Sequence, residues 1–245
     1  MTANQFYVPR IASAGSRLAL EGEEHRHLAK AARVRPGDVV RLFDAREGRC
    51  LARVDAVGEA RTELVVLEVE GPETVRAGVV LAACLIEAKK LEMILEKAAE
   101  LGCTDFIPVI SARSLRPPAD RTDRKLERWR RIVRETVKQC KGVRLTAVHP
   151  PRALKALLQA PPPGLRLFLS EHGGRPLKEV VAGPEAKTPP SSVVLLVGPK
   201  GGWTGGEERD VRAAGFEAVS LGRRVLRAET AALAATAMVV HFWNG

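Results

Sequence analysis

Residues 193–240 read VVLLVGPKGGWTGGEERDVRAAGFEAVSLGRRVLRAETAALAATAMVV, and the spacing of apolar runs and glycines predicts strand, loop, helix, strand, loop, helix. The first run, residues 193–197, has no polar interruption, which is typical of a strand buried on both faces of a parallel sheet. A second short strand is predicted at residues 218–221. The strands end at Gly198 and Gly222, so we expect two loops at the carboxyl ends of neighbouring parallel strands, where open α/β sheets bind ligands.

The loop after the first strand lacks the familiar phosphate-binding patterns. A Walker A motif requires a lysine where this chain has Glu207, and the Rossmann spacing of three glycines is absent. Thr204 and Glu207 instead have the spacing of a capping box, which predicts that a helix begins here. From these residues alone, a ligand-binding loop and a plain strand-to-helix turn remain equally open.

Two blocks of this stretch resemble a known pair of signatures. VGPKGGWTGGE (197–207) and SLGRRVLRAETA (220–231) are similar to the C-terminal motifs of the RsmE-type 16S ribosomal RNA uridine-N3 methyltransferases, members of the SPOUT superfamily that use S-adenosylmethionine. The segment KKLEMILEKAAELG (89–102) also resembles this family. Lys200 departs from the pattern, because the family has a glutamate there, and the replacement reverses a charge beside the expected site.

The resemblance implies a two-domain α/β protein. Residues 1–72 would form a PUA-like, RNA-binding β-barrel domain, and residues 73–245 a SPOUT α/β methyltransferase domain with a C-terminal trefoil knot. The implied function is S-adenosylmethionine-dependent methylation of N3 of a uridine in 16S rRNA; the alternative is a non-catalytic RNA-binding or ribosome-assembly protein on the same fold. The implied partners are 16S rRNA or the small ribosomal subunit and a second copy of the chain, with the apolar last helix as one candidate surface.

The resemblance also implies three sets of site residues. The cofactor would contact Leu169, Leu196, Gly198, Gly202, Ser220, Leu221, Gly222, Val225 and Leu226. Catalysis would rest on Arg224, Arg227 and Glu229, because an arginine can stabilise the charge left when the uridine N3 proton departs and a carboxylate can accept that proton. RNA would contact Arg10, His27, Arg33, Lys89, Lys90 and Lys200. For Arg227 and Glu229, an ion pair and helix cap is the structural alternative.

The N-terminal part has the pattern of a small β domain. Short runs of β-branched residues, separated by turn signals, predict five strands and one helix at residues 23–32. Strands spaced in this way favour a small barrel, since closure removes exposed edges. FYVPR and HRHLAKAARVRPGD, at residues 6–10 and 25–38, carry the resemblance here. Residues 70–78, which contain proline, glycine and mixed charge, predict the linker to the second domain.

Strand and helix patterns alternate through the second part. The predicted order is strand 79–86, helix 89–102, strand 106–110, helix 123–140, strand 145–148, helix 153–159 and strand 165–169. The last of these strands would add a third loop beside the two of the opening stretch. The alternation predicts a mainly parallel sheet.

The charge of the chain is concentrated in its second part. The net charge is +10, yet residues 1–78 contain 12 Lys and Arg against 12 Asp and Glu, so the excess belongs to the remainder. Within it, residues 113–144 contain 12 basic and four acidic residues. This favours a polyanionic partner, with a solvated helix face as the alternative.

Other classes of protein are disfavoured. No apolar run approaches the length of a membrane span, and the N-terminus lacks the pattern of a signal peptide. The four cysteines lie far apart without a paired CxxC motif, so we expect neither a metal site nor a disulfide framework. We therefore expect a cytoplasmic protein.

Overall fold

A computed structural model describes residues 5–44, 48–71, 75–116, 122–142, 144–183 and 188–244. The chain forms two compact units. The first contains Met1–Thr74 together with Arg134–Leu145, and the second contains Val75–Val133 and Thr146–Gly245. The centre of the predicted linker, residues 72–74, lies outside the described residues.

The first unit is built on five strands: β1 Gln5–Tyr7, β2 Arg17–Glu21, β3 Val39–Phe43, β4 Arg49–Val57 and β5 Arg61–Glu70. Their order is β1-β3-β4-β5-β2, with β1 parallel to β3 and the other pairs antiparallel. Phe6, Leu28, Leu42 and Leu64 are fully buried at the centre of its core. The five predicted strands are confirmed. The pairing of the described strands has two ends, at β1 and β2, so it makes an open half-barrel rather than the closed barrel we expected.

The predicted helix of the first unit is interrupted. An α-helical turn, α1 Gly22–Arg26, continues into a π-helical turn, His27–Ala31, in which Ala32 N–H donates to His27 O at 2.9 Å. The wider turn buries Leu28 against the sheet while His27 remains exposed. The edge of the His27 ring packs against Phe6, with 5.4 Å between ring centroids.

A segment distant in sequence completes the first unit. Lys138, whose side chain is buried, donates to Glu24 at 2.6 Å, and the guanidinium of Arg134 lies 5.9 Å from the centroid of the Tyr7 ring. Gln5 donates to the carbonyl oxygen of Gly142 at 2.5 Å. These contacts join residues 134–145 to the first unit, which the sequence patterns do not anticipate.

The second unit is a parallel sheet flanked by helices. Its strands are β6 Gly78–Cys84, β7 Asp105–Ile110, β8 Ala147–Val148, β9 Arg152–Ala153, β10 Leu165–Leu169, β11 Arg175–Pro176, β12 Ser192–Val197 and β13 Glu217–Ser220. Its helices are α2 Ala88–Glu100, α3 Thr122–Cys140, α4 Leu154–Gln159, α5 Leu177–Ala182, α6 Gly205–Ala213 and α7 Ala228–Asn244, although the last part of α3 belongs to the first unit. The strand order is β11-β13-β10-β12-β6-β7-β8, and β9 also pairs with β7.

β12 lies in the middle of this sheet. Leu195 is in register with Leu167 of β10 on one side and Leu81 of β6 on the other, and all three residues are fully buried. Side chains from α4 and α6 share one core cluster with these strands, while α7 packs against α2, α5, β6 and β12. A parallel sheet needs such cover because its strands are apolar on both faces. The prediction made from residues 193–197 is therefore confirmed.

Candidate active site

A cavity of about 500 Å³ lies at the carboxyl ends of β10, β12 and β13. Its walls are residues 169–171 at the end of β10, the glycine-rich loop after β12, residues 219–227 at the end of β13, and the start of α7. Lys90, in the first turn of α2, adds one further side chain. All three predicted loops thus meet at one site. The prediction that the strands at residues 193–197 and 218–221 are neighbours is wrong, because β10 pairs with both and separates them.

The glycine-rich loop, residues 198–203, is a tight turn held at both ends. Gly202 N–H donates to Pro199 O at 2.9 Å, and Gly202 has a φ of 68°, a value that favours glycine. A Cβ added to Gly198 would lie 3.0 Å from the ring of Trp203. The indole N–H of Trp203 donates to Leu169 O at 3.2 Å, which ties this loop to the end of β10.

The predicted capping box is present at the end of this loop. Thr204 Oγ1 accepts from Glu207 N–H at 3.2 Å, and Glu207 Oε2 accepts from Thr204 N–H at 3.0 Å. Partial burial works to raise the pKa of Glu207, but hydrogen bonds from Ala112 and Thr204 outweigh it and hold this pKa below its ordinary value. The start of α6, and with it the end of the glycine-rich loop, is therefore fixed.

The loop after β13 is shaped by its own polar groups. Ser220 Oγ accepts from Gly222 N–H at 3.2 Å and donates to Gly222 O at 3.1 Å. Gly222 has a φ of 125°, and no atom lies within 4 Å of a Cβ placed there, so its backbone faces open space. Val225, an apolar residue of the cavity wall, is 73% exposed. An apolar wall so exposed is suited to contact with a ligand.

Charged groups line one side of the cavity. Lys90 Nζ lies 3.5 Å from Glu229 Oε1 and 3.4 Å from Glu87 Oε2, and Glu87 also lies 3.9 Å from Lys200 Nζ. The side chain of Glu229 is only 13% exposed, whereas Arg224 and Arg227 are exposed. Glu229 therefore forms its ion pair with Lys90. The structural alternative left open by the sequence was an ion pair with Arg227.

The structure brings most of the predicted site residues together. Those lining the cavity are Lys90, Leu169, Gly198, Lys200, Gly202, Ser220, Leu221, Gly222, Arg224, Val225, Leu226, Arg227 and Glu229. Leu196 does not line it: its side chain is fully buried in the core, because side chains alternate along β12 and the next one, Val197, faces the cavity. Lys89 is exposed on α2 outside the cavity, and Arg10, His27 and Arg33 are exposed in the first unit.

Several contributors to the site were not predicted as site residues, among them Glu171, Trp203 and Glu87. Glu171 lines the cavity and lies 3.5 Å from the position that a Cβ on Gly202 would occupy. In the sequence, the pattern that indicates this location is its place directly after the strand predicted at residues 165–169. Trp203 packs on Gly198. It is the aromatic residue of the glycine-rich block, and this position is the sequence pattern that indicates it. Glu87 gives no such signal, since it precedes α2 without a motif of its own.

The described residues contain neither a candidate metal site nor a candidate membrane span. No group of three or more His, Cys, Asp or Glu side chains in the described ranges could hold a metal ion. Among the described helices, none has both the length and the apolar character required to cross a membrane.

Comparison with known proteins gives consistent matches. Residues 73–240 match the model of an RNA methyltransferase domain, and residues 20–67 match that of an RNA methyltransferase PUA domain. The chain is 32% identical to ribosomal RNA small subunit methyltransferase E of Synechocystis sp., over 87% of this chain and 69% of that protein. It is 30% identical to the protein of the same name from Mycobacterium bovis, over 100% of this chain and 95% of that protein.

A solved structure is similar over nearly the full length. It is the crystal structure of ribosomal RNA small subunit methyltransferase E from Neisseria gonorrhoeae bound to S-adenosyl methionine. The match has a TM-score of 0.87 and 31% sequence identity, and it covers 98% of each chain.

Proposed function

Because this chain belongs to the RNA methyltransferase family, we propose that it transfers the methyl group of S-adenosyl-L-methionine to N3 of a uridine in the 16S rRNA of the small ribosomal subunit. The observation that carries the proposal is that both signature blocks, residues 197–207 and 220–231, supply walls of a single cavity. The names of the relatives support the rRNA substrate, and the ligand of the Neisseria gonorrhoeae protein supports the cofactor. The N3 position rests on the family resemblance of these blocks.

The residues around the cavity fit this cofactor. A volume of about 500 Å³ is within the range of small-molecule sites. Gly198 and Gly222 line the cavity, Gly222 with its backbone open to a ligand, and Glu171 provides a carboxylate for its ammonium group. The adenine and ribose would lie against the backbone of these glycines and the following apolar side chains: Leu169, Leu221, Val225 and Leu226. When bound, S-adenosylmethionine supplies a methyl group on a positively charged sulfur, which a nitrogen nucleophile can accept.

The charged side chains would prepare the uridine. Glu229 accepts the N3 proton, which leaves negative charge shared between N3 and the two flanking carbonyl oxygens. Arg224 and Arg227, exposed at the cavity wall, stabilise that charge. Lys90, which we also expect to contact RNA, lies 3.5 Å from Glu229 and holds the carboxylate in place. Correct positioning of the base supplies much of the remaining rate enhancement.

We assign RNA contacts to exposed basic residues within each domain. In the PUA-like domain, residues 1–72, these are Arg10, His27 and Arg33, all exposed to solvent. In the methyltransferase domain, residues 73–245, they are Lys89 and Lys200, which are also exposed. Neutralisation of phosphates by such side chains supplies affinity without sequence specificity.

The remaining features of the proposal follow from the family. We infer a trefoil knot at the C-terminus, supported by the path of the chain: β13 follows β12 in sequence but pairs with β10 and β11, after which α7 returns to pack on β12 and β6. We also infer a homodimer, supported by the apolar, partly exposed surface of α7, where Phe242 is 48% exposed. The site of action would be the cytoplasm, where ribosomal subunits assemble.

Two measurements test the function. Isothermal titration calorimetry should detect binding of S-adenosylmethionine by the purified chain. Mass mapping of 16S rRNA from a strain lacking the gene should then show one uridine without its methyl group, restored by the wild-type gene. A chain that binds RNA but not the cofactor would be the non-catalytic alternative, and a modified nucleotide other than uridine would refute the N3 assignment.

A further inference from the structure

Arg113 lies outside the cavity wall yet contacts the glycine-rich loop from behind. It belongs to the turn that follows β7, and its Nη1 donates to the carbonyl oxygen of Gly201 at 2.7 Å. Its Cδ lies 3.3 Å from the position of a Cβ on Gly201. Arg113 begins the basic segment 113–144, whose charge alone suggested contact with a polyanion, but its guanidinium contacts the loop.

This contact holds one particular peptide unit. The carbonyl oxygen of Gly201 accepts from Arg113, and the N–H of Gly202, at the other end of the same peptide bond, donates to Pro199 O at 2.9 Å. A peptide between two glycines meets little steric resistance to rotation, so these two hydrogen bonds decide its orientation. Gly202 lines the cavity, whereas Gly201 does not and is exposed to solvent.

The turn that carries Arg113 is itself well anchored. Ser111 N–H donates to Ser114 Oγ at 2.9 Å, and Leu115 N–H donates to Leu85 O at 3.0 Å. Ala112 N–H donates to Glu207 Oε1 at 2.7 Å, while the other oxygen of Glu207 serves the capping box. Arg113 therefore projects from a fixed backbone, and the turn contacts both the glycine-rich loop, at Gly201, and the start of α6, at Glu207.

We propose that Arg113 is a positioning residue, which locks the Gly201–Gly202 peptide in the orientation required for cofactor binding. The inference rests on the proposed function, because the ligand is taken to be S-adenosylmethionine. The long side chain and the planar guanidinium suit this task, since they reach a single carbonyl oxygen from the end of β7, which β6 separates from β12.

The experiment compares wild type with Arg113→Ala, Arg113→Lys and the control Arg116→Ala, an exposed arginine just beyond the same turn. Calorimetry with S-adenosylmethionine should show about tenfold weaker binding for Arg113→Ala, because the peptide then occupies the binding orientation in a smaller fraction of molecules. Arg113→Lys, which keeps a positively charged donor group, should regain part of the affinity, and Arg116→Ala should bind as wild type does. The thermal unfolding temperatures should remain close to one another.

Hydrogen exchange of the Gly202 amide, measured without ligand, provides a second readout. It should be faster in Arg113→Ala than in Arg116→Ala, because the peptide can then rotate away from Pro199. Equal affinity and equal exchange in these two variants would overturn the inference. If wild type itself does not bind S-adenosylmethionine, the proposed function fails, and the exchange rates still decide whether Arg113 holds this peptide.

Discussion

Lys90 Nζ lies 3.5 Å from Glu229 Oε1, so the first turn of α2 and the first turn of α7 meet through an ion pair at the cavity. Glu229 is thereby held with its side chain only 13% exposed. A carboxylate near a helix N-terminus is also favoured by the helix dipole. The pair gives Glu229 a defined position from which it can accept a proton.

Glu229→Gln should therefore reduce the methylation rate about a hundredfold or more, the usual contribution of a general base. The amide has nearly the same volume but cannot take the proton. Single-turnover transfer of labelled methyl to rRNA measures the rate, and calorimetry measures cofactor affinity. Glu208→Gln on α6 is the matched control and should leave both unchanged. A Glu229→Gln variant that lost affinity but kept its rate would assign this residue to the cofactor instead.

Lys200→Glu restores the residue expected from the family resemblance and places two carboxylates near each other, because Lys200 lies 3.9 Å from Glu87. Both side chains are largely exposed, at 78% and 51%, so we expect only a small change in cofactor affinity. RNA affinity should fall. The slope of log affinity against log salt concentration should become shallower by about one, as for loss of one phosphate contact. Glu87→Gln serves as the control. Unchanged RNA binding would make Lys200 a bystander.

Thr204→Ala should lower the free energy of unfolding by about 1 kcal/mol, the typical cost of losing an N-cap hydroxyl. The hydroxyl accepts from Glu207 N–H at 3.2 Å, and no other side chain of α6 replaces it among the described hydrogen bonds. Urea denaturation of wild type, Thr204→Ala and Thr204→Ser measures the effect. Thr204→Ser should be nearly neutral, and an equal loss in both variants would contradict the capping role.

Glu207→Gln should destabilise the protein at neutral pH and have little effect in acid. The pKa of Glu207 is held below its ordinary value by hydrogen bonds that outweigh its partial burial. The contribution of its charged form is complete above the pKa of the unfolded chain, about 4.3, and is lost as the pH falls through the lower pKa of the folded state. Urea denaturation at pH 7 and at successively lower pH should show the gap between wild type and variant closing below about pH 4. A gap that did not change with pH would exclude the charge as its cause.

The cysteines should differ sharply in reactivity. Burial raises the pKa of Cys84 and of Cys103 to about 12 and that of Cys50 to about 11, whereas Cys140 is half-buried. Since the thiolate is the reactive form, a thiol reagent at pH 8 should modify Cys140 first and the others only after unfolding. Unfolded thiols ionise near pH 8.5 and the folded ones only above it, so stability should also fall as the pH rises beyond about 9. Mass spectrometry of the labelled peptides identifies the modified residue.

Local patterns in the sequence predict the helices and strands well, but they predict poorly which strands lie side by side in the sheet. The apolar run at residues 193–197, the capping box at Thr204 and the helix predicted at residues 89–102 each depend on adjacent residues and are confirmed. The position of β10 between β12 and β13 depends on how strands far apart in sequence pair, which periodicity does not encode. The side chain of Leu196 does not line the cavity, for a local reason, because strand alternation directs it into the core.

Predictions for the site have the same limit. The two signature blocks point to the loops, since their glycines and charges are close together in sequence. Arg113 precedes Gly201 by 88 residues, and only the folded sheet brings the turn after β7 beside the glycine-rich loop. Glu87 is similar, because its place between Lys90 and Lys200 depends on the start of α2 lying beside that loop.

Because three loops separated in sequence form the cavity, its walls appear in a fixed order during protein synthesis. Lys90 leaves the ribosome first, then the loops after β10 and β12, and the wall that ends at Ala231 emerges last. A nascent chain stalled before Gly222 can fold neither this wall nor α7, so it has no complete pocket to occupy. By mass action, a ligand of the cavity therefore stabilises only chains long enough to form this wall, and shorter chains remain exposed to proteolysis.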